Sequence, residues 1–109
     1  MEVIMVLCNV PDAALAQQIA ETLVGEQLAA CVNIMAPCRS VYRWQGKLEN
    51  ASEVPLQIKT TAAAYPALQV RLLQLHPYEV PEIIAVPITQ GLPDYLNWLA
   101  ANVGEPPTP

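Results

Sequence analysis

Ser40-Val41-Tyr42-Arg43-Trp44-Gln45-Gly46-Lys47-Leu48 is the stretch that decides the fold. Ser40 to Trp44 is rich in β-branched and aromatic residues, Gln45-Gly46 supplies a turn, and Lys47-Leu48 starts a return strand. Upstream a period of two runs back to Ala29, with Val32 and Ile34 on one face and Cys31, Asn33 and Met35 on the other. Pro37 interrupts that run, which fits a bulge or a sheet edge. Downstream, Val54, Leu56 and Ile58 alternate with Pro55, Gln57 and Lys59, and Pro55 marks a second bulge or edge. A hairpin of roughly fifteen residues a side extends ~45 Å at ~3.3 Å per residue, past the width of a small domain. It must bend or lean on a neighbouring subunit.

On the N-terminal side, residues 2–9 form an apolar, β-branched run that ends at Asn9-Val10-Pro11-Asp12. This predicts a buried strand, then a helix capped by Asp12 and running from Ala13 to about Glu26, with Leu15, Ile19 and Leu23 on one stripe. On the C-terminal side, Thr60-Thr61 offers a second cap for a helix carrying Leu68, Leu72, Leu73 and Leu75 up to His76, with Pro66 tolerable only in its first turn. Ile83 to Ile88 predicts a short strand and Tyr95 to Leu99 a last short helix. The order βαββαβ plus a terminal helix predicts an α+β, ferredoxin-like subunit: an antiparallel sheet with an extended central hairpin and its helices on one face. Residues 1–103 read as one domain and residues 104–109 as a flexible proline-rich tail.

Of the 109 residues, 53% are apolar and 14% charged, against roughly 25% charged in an ordinary domain. A small monomer lacks the interior to hide that much apolar surface, which predicts an oligomer. A net charge of −5, with five cations scattered from Arg39 to Arg71, argues against a nucleic-acid partner. The N-terminus shows no signal-peptide pattern, and no apolar run approaches the ~20 residues of a membrane span, so a cytoplasmic protein without a membrane role is expected. Three cysteines without CxxC spacing read as reduced side chains. Cys31 is the clearest core position, Cys38 beside Pro37 is open to exposure, and Cys8 ends a strand where sites begin.

His76-Pro77-Tyr78-Glu79-Val80-Pro81-Glu82 concentrates the polar chemistry, including the one histidine. An imidazole lone pair suits a divalent metal; Cys8 is the best soft partner, and Glu79 and Glu82 would add oxygen ligands. Equally, His76 suits a helix C-terminus and the two prolines suit a rigid connector, so this stretch is either a site or a brace. Tyr42, Trp44, Tyr95 and Trp98 are either core or an aromatic patch between subunits. There is no GxSxG, P-loop or GxGxxG, and a single histidine must serve any acid–base role, so no enzyme is expected.

Five motifs in collinear order carry a resemblance. They are Leu28-Ala29-Ala30-Cys31-Val32-Asn33-Ile34, Ser40 through Lys47, Ile58-Lys59-Thr60, His76 through Ile83, and Tyr95-Leu96-Asn97-Trp98-Leu99. Together, over roughly residues 3–102, the chain resembles the CutA family of divalent-cation-tolerance proteins. The resemblance implies a tight homotrimer, similar to the nitrogen-regulatory signal proteins, whose hairpins pair across subunits. It implies tolerance of copper or another divalent cation and a cytoplasmic location. By position Cys8 and His76 match two of the family's proposed metal ligands, while Leu75 stands where the third, a histidine, would be. Glu79 and Glu82 remain the added oxygen donors. Tyr42, Trp44, Lys59, Tyr78 and Trp98 are the expected residues of an intersubunit or ligand cleft. The other function in view is a regulatory or scaffold trimer binding a small ligand or protein in those clefts.

Overall fold

The computed structural model describes residues 2–104. Among these the elements are β1 (Val3–Val10), α1 (Ala13–Gly25), β2 (Cys31–Ile34), β3 (Cys38–Trp44), β4 (Lys47–Thr61), α2 (Tyr65–Leu75), β5 (Ile83–Pro87) and α3 (Pro93–Ala101). They make a mixed α+β fold with an antiparallel sheet and three helices. β1 pairs with β4 from Val3 opposite Thr61 to Val10 opposite Val54, and β5 lies along the other edge of β1. The free edge of β4 is taken by β2 and then by β3. Apart from Gly104, the expected tail lies outside the described residues.

The prolines of the hairpin fall where the sequence places a break. Ile34 stands opposite Leu56, and Cys38 opposite Glu53. Between those pairs the β2–β3 side advances four residues and β4 three, so one extra residue sits in Met35-Ala36-Pro37. This is a β-bulge. The Met35 N–H donates to the Pro55 carbonyl at 2.9 Å. A strand residue turns its N–H and C=O to the same edge, so the missing N–H of Pro55 faces the bulge, where the ladder is already broken. The longest axis of the molecule is 44 Å, close to the length expected of the hairpin.

The Asp12 side chain caps α1, accepting from the Leu15 N–H at 2.8 Å. Ala16, Ile19, Ala20 and Leu23 form the buried stripe, with Leu15 packed at its edge. Thr60 and Thr61 do not cap α2, because β1 extends far enough to keep both in β4. Thr61 Oγ1 instead accepts from the Ala64 N–H at 3.2 Å in a turn, and α2 starts after it. Leu68 and Leu72 are buried and Leu75 packs beside them, while Leu73, one residue round from that stripe, is 50% exposed.

The main core lies between one sheet face and the helices α1 and α2: Val6, Cys8, Val10, Leu56 and Ile58 meet Ile19, Leu23, Leu68 and Leu72. α3 departs from the one-face expectation. Val3 packs with Leu99, whereas its neighbour Ile4 belongs to the main core. Successive strand residues point to opposite faces, so α3 covers the other side. It covers only one end of it. Met5 and Leu7 stay half-buried, and opposite them Val86 and Ile84 are 38% and 50% exposed.

In urea unfolding, Leu68→Ala is expected to lower stability by about 2–5 kcal/mol, since it opens a cavity against fully buried neighbours. Asp12→Ala, which removes one exposed cap bond, should cost about 1 kcal/mol.

Candidate functional site

His76 is where α2 stops. Its N–H closes the last turn on the Leu72 carbonyl at 2.8 Å, and Pro77 forbids continuation. Its backbone is extended, and the side chain crosses to the end of β1. Nε2 lies 2.7 Å from the Asn9 carbonyl oxygen. A carbonyl only accepts, so Nε2 carries the proton and donates. Nδ1 is then the bare nitrogen, and it accepts from the Tyr78 N–H at 3.2 Å. β5 pairs with β1 only as far as Cys8, so the imidazole supplies the partner that the Asn9 carbonyl lacks on that edge. His76 is buried, with both ring nitrogens in use.

Cys8 meets the same oxygen. Its Sγ is 3.9 Å from the Asn9 carbonyl, so the cysteine and histidine singled out in the sequence converge on one atom. The side chain is fully buried, and its thiol is pushed from 9.0 up to about 12, first by burial and then by the charges of Glu82 and Glu53. For Cys8 and Cys31 this exchanges the sequence expectation. Cys8 is core, while Cys31 and Cys38 are only half-buried. Cys31 stands opposite Lys59, at the sheet's outer strand β2.

Thiolate and imidazole are a donor pair that suits a divalent transition metal. As the chain stands, however, both donors hold protons directed at a carbonyl. Glu82 reaches Cys8 through its charge, and Glu79 faces elsewhere. Among the described residues no three His, Cys, Asp or Glu side chains gather closely enough to hold a metal ion. The pair fits a metal by type, once the thiol loses its proton and the imidazole moves its own to Nδ1.

A groove of about 300 Å³ lies beside this pair, lined by Tyr42, Trp44, Tyr78, Glu79 and Val80. The Tyr78 ring packs against the His76 imidazole, with centroids 4.7 Å apart and planes tilted 56°. Its hydroxyl is pushed up to about 12 by desolvation, then by the nearby Glu53 carboxylate and further negative charge. Glu53 is buried, a position its sequence does not announce. It carries no signal in the chain, since it falls in the same alternate set as Pro55, Gln57 and Lys59, opposite the apolar Val54, Leu56 and Ile58. The cleft residues expected from the sequence divide in two. Lys59 and Trp98 lie apart from this groove: Lys59 Nζ donates to Asn33 Oδ1 at 2.8 Å and sits 6.0 Å over the Tyr95 ring, which stacks on Trp98 at 5.6 Å.

Comparison with known proteins gives a consistent result. Residues 4–102 match the family model described as CutA1 divalent ion tolerance protein. The divalent-cation tolerance protein CutA of Thermus thermophilus is 50% identical over 100 residues, covering 92% of this chain and 97% of that one. A solved structure of the protein from Thermus thermophilus superposes with a TM-score of 0.92 at 49% identity, covering 94% and 99% of the two chains. CutA1 from Oryza sativa superposes at 0.95 with 39% identity and 97% coverage of both chains. The protein from Archaeoglobus fulgidus named periplasmic divalent cation tolerance protein CutA superposes at 0.90 with 33% identity, over 94% of this chain and 99% of that one.

Brief treatment of the native protein with a thiol-alkylating reagent should label Cys31 and Cys38 well before Cys8, with mass spectrometry of peptides as the readout. The raised Cys8 value also sets a pH dependence. Below 9.0 the thiol is protonated whether the chain is folded or not, and its contribution to stability is fully present. Between 9.0 and about 12 the unfolded chain releases the proton while the folded chain keeps it, so stability falls as pH rises. Cys8→Ala should flatten that part of the unfolding profile.

Proposed function

The chain belongs to the CutA1 divalent ion tolerance protein family, and from that premise we propose that it binds divalent cations, copper first among them, as a cytoplasmic, non-enzymatic homotrimer of ferredoxin-like subunits. The observation that carries the metal reading is the convergence of Cys8 Sγ and His76 Nε2 on the Asn9 carbonyl oxygen. To hold an ion, Cys8 would lose its thiol proton and His76 would move its proton from Nε2 to Nδ1, giving up the bond from the Tyr78 N–H, with Glu82 as an oxygen donor. A bound ion would supply charge to offset the thiolate and nothing further is asked of it.

The strand order β2-β4-β1-β5, with α1 and α2 on one face, supports the ferredoxin-like subunit. The bare strip of Met5, Leu7, Ile84 and Val86, with exposed Val41 and Leu48 near the hairpin end, supports the oligomer. The free cysteines suit a reducing compartment. Localisation by cell fractionation tests that part, since one relative carries the word periplasmic in its name. A second reading, a regulatory or scaffold trimer that takes a small ligand, is favoured by the aromatic groove at Tyr42, Trp44 and Tyr78.

Calorimetric titration of the reduced protein with copper and zinc is expected to show binding that a Cys8→Ala/His76→Ala double variant loses; unchanged binding in that variant would sink the ligand set. Because the Cys8 thiol proton must leave, affinity should strengthen with pH, by about tenfold per unit below the thiol's raised value. Light scattering at micromolar concentration should give three chains per particle, and a stable monomer would overturn the oligomer.

A further inference from the structure

The groove beside His76 has its own chemistry. The period of two along β3 sets Tyr42 and Trp44 on one face, and the connector after α2 brings Tyr78, Glu79 and Val80 against them. Tyr78 is held at two points. Its N–H donates to His76 Nδ1 at 3.2 Å, and its ring packs on the imidazole at 4.7 Å. A wall fixed in this way has little freedom left to lose when a ligand docks. The volume, about 300 Å³, is that of a small-molecule site.

The lining selects the ligand's charge. Three of the five lining residues are aromatic, Glu79 supplies the one charge among them, and that charge is negative. Aromatic rings attract cations through their quadrupole, and a neighbouring carboxylate adds to the same field. A primary ammonium brings three N–H donors that must each find an acceptor in place of water, whereas a quaternary ammonium brings none and presents only methyl groups to the rings. We propose that this groove binds a small quaternary ammonium compound, with Tyr42, Trp44 and Tyr78 around the methylated head and Glu79 beside it. His76 is a positioning residue here, fixing Tyr78 without touching the ligand. The inference rests on the small-ligand reading of the cleft and is independent of metal binding at Cys8.

Choline is the probe, and 3,3-dimethylbutan-1-ol is its uncharged counterpart of the same shape. Calorimetric titration of the full chain should show choline binding at least about tenfold more tightly than the alcohol. Tyr42→Leu and Glu79→Gln, both at exposed positions, should each weaken choline by about tenfold, while Trp98→Leu, in the separate aromatic cluster, leaves it unchanged. Equal affinity for choline and the alcohol overturns the proposal. So does an absence of choline binding at millimolar concentration, the result expected if a second copy of the chain fills the groove. A protein that binds copper normally but ignores choline refutes this inference alone and leaves the metal reading standing.

Discussion

β4 is hydrogen-bonded along both of its edges, and the rest of the molecule depends on reconciling the two registers. On one edge it pairs with β1 without interruption. On the other its register with β3 differs by one residue from its register with β2. Side chains alternate with period two, so that single residue decides which face each side chain joins. Val32 and Ile34 stand opposite Ile58 and Leu56, the residues that pack under α1 and α2. Past the bulge, Tyr42 and Trp44 stand opposite Glu49 and Lys47, on the alternate face of β4. Without the extra residue the two aromatics would share the face of Leu56 and Ile58 and could not line the groove.

The second joint is the His76 imidazole, which bridges the end of β1 and the start of the connector to β5. One ring nitrogen donates to a strand carbonyl left without a strand partner, and the other accepts from a backbone N–H two residues on. A buried histidine satisfied on both sides is a brace in the ground state. The same bonds place its ring behind Tyr78 and beside Cys8, so the brace also organises the one region rich in polar chemistry. A metal ligand and a structural bridge are thus the same side chain in two protonation arrangements, and the Cys8 thiol, held protonated by burial, resists the change.

Relatives in Thermus thermophilus and Oryza sativa keep this architecture over nearly the whole chain. The constraint that an isolated subunit leaves open is its second sheet face. α1 and α2 close one side, but α3 is nine residues long and reaches only the end near Val3 and Ala30. The remaining strip is apolar on both β1 and β5, which is a costly surface to leave in water.

Much of this was legible in the sequence. Periodicity of two placed the hairpin, Asp12 marked its helix start, Pro37 and Pro55 marked the break in the ladder, and five collinear motifs carried the family resemblance. Those signals are local: a strand's faces, a cap and a missing N–H are determined by neighbours in the chain. The tertiary structure alone decided that Cys8, and not Cys31, is the core cysteine, that Glu53 is buried, that α3 crosses to the opposite face, and that the expected cleft residues form two clusters. It also decided which His76 nitrogen bears the proton. Each of these depends on groups far apart in sequence, such as His76 and Asn9. Such pairs meet only once strand register and helix packing have closed the molecule around them.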